Sequence, residues 1–209
     1  MTYEQTYLDG GQTVIVGMDE VGYGAWAGPV VAGAICLPLT EANIHDLLKG
    51  VKDSKQMTNL QRVRATELIS QHALGSGVGS ADPSEIDAYG LSEALNRAYA
   101  RAYQDCVRHL SQPVQVLLID GRSAWKNFPH NNVTVERIIK GDTLSLSIAA
   151  ASVIAKVWRD TLMVEQFATR YPAYGFDRHK GYGTAYHLEA IRQHGQIRDV
   201  HRMNYALKL

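Results

Sequence analysis

Four carboxylates stand where an acid is costly to keep. Asp19 and Glu20 follow the apolar run of residues 13–18 (TVIVGM), and Asp120 follows the run of residues 114–119 (VQVLLI). Asp142 sits in Lys140-Gly141-Asp142, just ahead of a long helical pattern. A charged carboxylate at the end of a core strand must be solvated, paired or bound to a metal ion. Aspartate also ends strands because turns favour it, and that plain reading serves any one of the four alone. Delivered together to one end of a sheet, they form an oxygen-only site that suits Mg²⁺ or Mn²⁺, with no His or Cys ligand required.

Two other segments carry candidate chemistry. Gly22-Tyr23-Gly24-Ala25-Trp26-Ala27 fits G-x-G-x-x-A, the looser dinucleotide-binding fingerprint, which demands a helix immediately afterwards. Here Gly28-Pro29 leads into VVAGAI, which reads as strand, so a nicotinamide or flavin site is rejected. The glycines instead mark a loop whose bare backbone approaches a ligand or another segment. Residues 178–183 (RHKGYG) gather basic and aromatic groups that can meet phosphates and stack on sugars or bases, against the alternative of a solvated loop. Lys156 and Arg159, on the long helix, are expected either to pair with nearby acids or to meet a phosphate.

The elements that must position these groups are legible in outline. Strands are expected over residues 13–18, 29–37, 74–80, 114–119 and 133–139, the first two joined as a hairpin. The run at 114–119 is apolar throughout, as in a strand covered on both faces. Helices are expected over 58–72, with Thr58 as N-cap, from Asp82-Pro83-Ser84-Glu85 to Gly90, over 91–110, over 144–171 and over 184–194. Strands and helices intermix with no linker, which predicts one α/β domain over 1–209.

Composition narrows the class further. Among 209 residues, 21 Lys and Arg balance 21 Asp and Glu, which argues against a highly basic, non-specific nucleic-acid binder. The balance hides an asymmetry: residues 1–120 hold 8 basic and 14 acidic side chains, and residues 121–209 hold 13 and 7. Cys36 and Cys106 are too few for a disulfide framework or a Cys-rich zinc site and are expected as buried thiols. There is no run of 18 apolar residues and the N-terminal stretch is polar, so a cytoplasmic protein without a membrane segment is expected.

Taken in order, GMDEVGYGAWAGPVVAGAICL (17–37), DSKQMT (53–58), ADPSEID (81–87), LLIDG (117–121), IIKGDTLSLSIAAASVIAKVWRD (138–160), YPAYGFDRHKGYGTAYHLEAIRQHG (171–195) and HRMNY (201–205) resemble type 2 ribonucleases H, the bacterial ribonuclease HII branch. The resemblance implies an RNase H-like α/β fold: a central mixed sheet flanked by helices, about residues 13–170, with a helical, substrate-binding C-terminal part over about 171–209. It implies an acidic quartet of Asp19, Glu20, Asp120 and Asp142 that holds two ions, Mg²⁺ or Mn²⁺, during catalysis. The implied activity is hydrolysis of the RNA strand of RNA/DNA hybrids, and nicking at ribonucleotides embedded in duplex DNA, leaving 3′-hydroxyl and 5′-phosphate ends.

By the same resemblance Tyr182 senses the junction, Lys55 lies on the phosphate side, and Gly22, Tyr23 and Gly24 form the loop that meets the ribose 2′-hydroxyl; Lys180, in the basic RHKGYG segment, is a further substrate-binding candidate. The family usually has arginine where this chain has Tyr23, and tyrosine supplies neither the charge nor the fork of donors. The alternative reading is therefore an RNase H-fold nuclease or nucleic-acid-binding relative with altered junction specificity. A monomer is expected.

Overall fold

In the computed structural model, residues 2–51, 54–108, 110–121, 125 and 132–204 are described. Five strands form one mixed sheet in the order β3-β2-β1-β4-β5. They are β1 (Ile15–Val21), β2 (Val30–Cys36), β3 (Gly75–Ala81), β4 (Val116–Asp120) and β5 (Thr134–Ile138). The first three pair antiparallel, while β4 runs parallel to both β1 and β5. The expected hairpin is present, but β1 continues through Asp19 and Glu20 to Val21 instead of ending at the acids, because β2 pairs with it as far as Val31.

The helices are α1 (Thr2–Asp9), α2 (Ile44–Leu47), α3 (Asn59–His72), α4 (Pro83–Tyr89), α5 (Leu91–Val107), α6 (Gly141–Leu144), α7 (Leu146–Leu162), α8 (Phe176–His179) and α9 (Ala185–His194). Thr58 and Asp82 cap α3 and α4 with full capping boxes, as their sequences require. The expected helix over 144–171 is not continuous. Ser145 is extended and caps α7 through a bond from the Ile148 N–H, which separates α6 from α7, and a π-helical turn over Met163–Ala168 follows. Helix α1 had no counterpart in the sequence reading. Its Glu4 is buried and accepts from the Ser145 hydroxyl at 2.6 Å and the Ser147 N–H at 3.0 Å, a negative charge placed on the start of α7.

Two helices cover opposite faces of the sheet. Helix α5 presents Ala98, Ala102 and Cys106 to β3, where a Cβ on Gly75, Gly77 or Gly79 would fall within 2.4 Å of an α5 carbonyl oxygen. Small residues four apart on the helix therefore meet glycines two apart on the strand. On the other face α7 lies against Gly17 and Gly33, where an added Cβ would come within 2.3 Å of α7 backbone. Val16, Met18, Leu117 and Ile119 pack toward α5, and Ile15, Val116 and Leu118 toward α7. A third apolar cluster, with Phe176, Tyr174, Met163 and Ile191, anchors the residues after α7. Cys36 and Cys106 are buried free thiols.

Candidate active site

Strand alternation decides where the acids go. Asp19 shares the α7 face with Ile15 and Gly17, and Asp120 shares it with Val116 and Leu118. The register of β1 on β4 pairs Met18 with Ile119, which sets Asp19 level with Asp120. Asp142 is delivered from α6, which is tied to β4 by the Gly141 N–H donating to Asp120 Oδ1 at 2.6 Å. Ligand oxygens of Asp19, Asp120 and Asp142 all lie within 4.8 Å of one another. Glu20 does not join this group. One residue further along β1, it emerges on the α5 face, where the Tyr99 hydroxyl donates to Glu20 Oε2 at 2.5 Å. The structure thus brings three of the four expected acids together and holds the fourth across the sheet.

The cluster is electrostatically loaded. Burial, followed by the charges of Glu20 and then Asp120, pushes the Asp19 carboxyl well above the usual carboxylate range; its bonds from Ser152 and from the Glu20 N–H only partly oppose this. The hydroxyl of Ser152, on α7, lies 2.9 Å from that of Ser54. Burial and the same acids push the Tyr99 phenol well above its ordinary value, so it remains a donor. Carboxylates crowded at this distance, with oxygen as their sole ligand chemistry, fit a divalent cation, whose charge reverses the cost of bringing them together.

Beside the acids, the loop of residues 22–28 is clamped by two fully buried arginines. Arg159 donates from Nε to the Pro29 carbonyl, from Nη2 to Ala27 and from Nη1 to Lys180, each at 2.9 Å. The expectation that Arg159 pairs with an acid or meets a phosphate is corrected: burial among loop carbonyls gives it neutral acceptors. Arg202 donates to the carbonyls of Gly28 at 3.2 Å, Tyr23 at 2.8 Å and Gly22 at 2.6 Å. Gly22 is required here, with φ +83° and a Cβ that would lie 2.3 Å from Arg159 Nε. No described peptide is cis, so carbonyls of Gly22 and Tyr23 turned toward Arg202 leave the N–H groups of Tyr23 and Gly24 facing the opposite way. The Tyr23 side chain is 51% exposed.

The same loop docks on the RHKGYG segment. Trp26 N–H donates to the Gly181 carbonyl at 2.8 Å, and Ala25 bridges Tyr182 in antiparallel fashion. Tyr182 is half-buried, with Arg159 5.2 Å and Lys156 5.5 Å from its ring centre. Lys180 takes a left-handed conformation, and its ammonium donates to the Asp177 carbonyl. Lys52 and Asp53 lie outside the described residues; Lys55 falls in the 3₁₀ turn Ser54–Gln56, its side chain also outside them.

Three histidines anchor this arrangement from behind. The Ile197 N–H donates to His201 Nδ1 at 2.9 Å, so His201 carries its proton on Nε2 and donates to His187 Nε2 at 3.2 Å. His187 in turn donates from Nδ1 to the Tyr182 carbonyl at 3.0 Å. His179 stacks on His187 with ring centres 4.3 Å apart. Burial pushes His187 and His201 down to about 4, which keeps the chain of bonds neutral. Asp87, in the ADPSEID segment, accepts from the Met203 and Asn204 N–H groups and so seats the residues after Arg202. Arg202, His187 and His201 went unassigned in the sequence; a polar side chain inside a motif-bearing segment was the only signal for them.

The ribonuclease HII family profile matches residues 16–208. The chain belongs to the ribonuclease HII family. It is 46% identical over 198 residues to a ribonuclease HII of Chloroflexus aggregans, covering 93% of this chain and 88% of that one. Identity to the Chlamydia caviae ribonuclease HII is 43% over 205 residues, 98% of this chain and 89% of the relative. Its fold superposes on the ribonuclease H2 of Pyrococcus horikoshii with a TM-score of 0.70 at 25% identity, covering 92% of this chain and 93% of that structure. Family membership makes it an endoribonuclease of the ribonuclease H class that depends on divalent metal ions.

Proposed function

We propose that Asp19, Asp120 and Asp142, with Glu20 contributing from across the sheet, hold two Mg²⁺ or Mn²⁺ ions. The reaction is hydrolysis of the RNA strand of RNA/DNA hybrids to 3′-hydroxyl and 5′-phosphate ends, with nicking at ribonucleotides embedded in duplex DNA. The convergence of three carboxylates from β1, β4 and α6 within 4.8 Å carries this reading. Ions bound there supply positive charge that makes water a nucleophile near neutral pH and stabilises the leaving oxygen.

The chain's own groups select and hold the strand to be cut. The N–H groups of Tyr23 and Gly24, turned away from Arg202, are the groups to meet the 2′-hydroxyl, the feature that separates RNA from DNA, with the half-buried Tyr182 ring to pack on the adjoining sugar. Lys55, Lys180 and the basic excess after residue 121 meet the phosphates. The part from Tyr171 onward acts as the substrate-binding part of one domain, because it holds Tyr182 and the loop of residues 22–28 in register. Action as a monomer is part of the same proposal, and two buried free thiols support a cytoplasmic setting.

Cleavage of matched duplexes, one with an RNA tract and one with a single ribonucleotide, by wild type and Asp120→Asn in each metal tests the reading. Wild type cuts both and the folded variant cuts neither; full activity in the variant overturns the site assignment.

A further inference from the structure

Asp19 and Glu20 are neighbours in sequence and lie on opposite faces of the sheet, so the second acid needs its own support. Tyr99 provides it. The residue sits on α5, completely buried, and its hydroxyl donates to Glu20 Oε2 at 2.5 Å, the short distance expected when the acceptor is a carboxylate. Its ring is packed in the α5-side core that includes Met18, Leu95 and Tyr103, and lies nearly parallel to the Trp125 ring with centroids 6.3 Å apart. That core is held at fixed depth by the close approach of α5 to the glycines of β3.

We propose that Tyr99 is a positioning residue for metal binding: it fixes the Glu20 carboxylate at the sheet end, so that Glu20 reaches an ion from the face opposite Asp19, Asp120 and Asp142. The inference rests on the reading that Glu20 belongs to the metal site. A rigid phenol that takes one oxygen of a carboxylate sets the direction of the other, and a ligand oriented in this way binds without first losing rotamer freedom. Asp19 draws its corresponding support from Ser152 on α7. Each face of the sheet thus supplies its own hydroxyl to its own acid.

The test compares wild type, Tyr99→Phe, Glu20→Gln and the double variant. Mn²⁺ binding is followed by the spectroscopic signal of the free ion and by the metal-induced rise in Tm, and hybrid cleavage is measured against Mg²⁺ concentration. Tyr99→Phe keeps the ring and its packing on Trp125. It is expected to raise the metal concentration at half-saturation about 10-fold, the loss typical when a ligand's supporting hydrogen bond is removed, while the rate at saturating metal is retained. On the Glu20→Gln background the same substitution is expected to add nothing, because its effect passes through Glu20.

A midpoint within about twofold of wild type, or a shift that persists undiminished in the double variant, overturns the inference and leaves Tyr99 a packing residue. Asp120→Asn, measured alongside, separates the two claims. If it binds metal and cleaves like wild type, the metal-site reading itself fails. If it loses both while Tyr99→Phe shifts nothing, only the role of Tyr99 fails.

Discussion

Two buried polar regions flank the loop of residues 22–28, and they are built on opposite terms. At the sheet end, Asp19, Asp120 and Asp142 crowd like charges together, so the metal-free fold carries an electrostatic cost there. In the clamp, Arg159 and Arg202 are as deeply buried, yet each distributes its charge over three backbone carbonyls. Buried charge destabilises when it faces its own sign and contributes positively once hydrogen-bonded to acceptors. The first region keeps a cost in reserve for the ions, and the second spends its bonds on holding backbone still.

The sharpest way to break this contrast is to remove the clamp. Arg202→Ala takes the donors from three carbonyls and opens a cavity, with an expected loss of about 3–5 kcal/mol seen as a fall in Tm of about 10 °C or more. Arg202→Lys is expected to recover only part, because a point charge cannot serve three acceptors as a planar fork does.

Acid separates the regions by sign. His187 and His201 sit at about 4 in the fold, below the ordinary value of 6.5, so the unfolded chain takes up protons first. Their contribution to stability is whole above pH 6.5, falls as pH drops through the window from 6.5 to 4, and levels off below it. Asp19, raised above its ordinary value, runs the other way: its protonation favours the fold, and that contribution is lost as pH rises through its folded value. A Tm-versus-pH profile is expected to flatten between 6.5 and 4 in His187→Gln relative to wild type.

The smallest effect is expected from Asp19→Asn. Removing the buried charge stabilises the metal-free protein by about 1 kcal/mol, about 2–4 °C in Tm for a chain of this size, while cleavage is lost. A lower Tm in this variant would contradict the claim that the sheet end carries a cost.

Legibility in the sequence followed the range of the interactions. Asp120 behind an apolar run, the capped start at Asp82 and the alternating glycines of β3 are local patterns, and the elements they mark are present. The division of the quartet was also written in strand periodicity, since consecutive residues such as Asp19 and Glu20 leave opposite faces. The expectation of four acids at one sheet end stands beside that alternation, with Glu20 approaching from the α5 face. The clamp was illegible for another reason: Arg159 meets carbonyls 130 and 132 residues away, and an arginine on a helix gives no local sign of being buried. Glu4, which reaches Ser145 across 141 residues, was hidden in the same way within a polar N-terminal stretch.

Helix α7 touches both regions. Ser152 faces the acid end and Arg159 the clamp, seven residues and so about 10 Å apart along one helical face. At Gly17 and Gly33 the helix backbone rests directly on the strands, while Ile15, Val116 and Leu118 pack toward it elsewhere. The helix therefore ties the position of the acid end to that of the clamp. On the function proposed above, a displacement of the loop is carried by α7 to the support of Asp19, so selectivity and turnover are expected to change together. Substitutions that displace α7 are expected to lower the rate along with the choice of sugar.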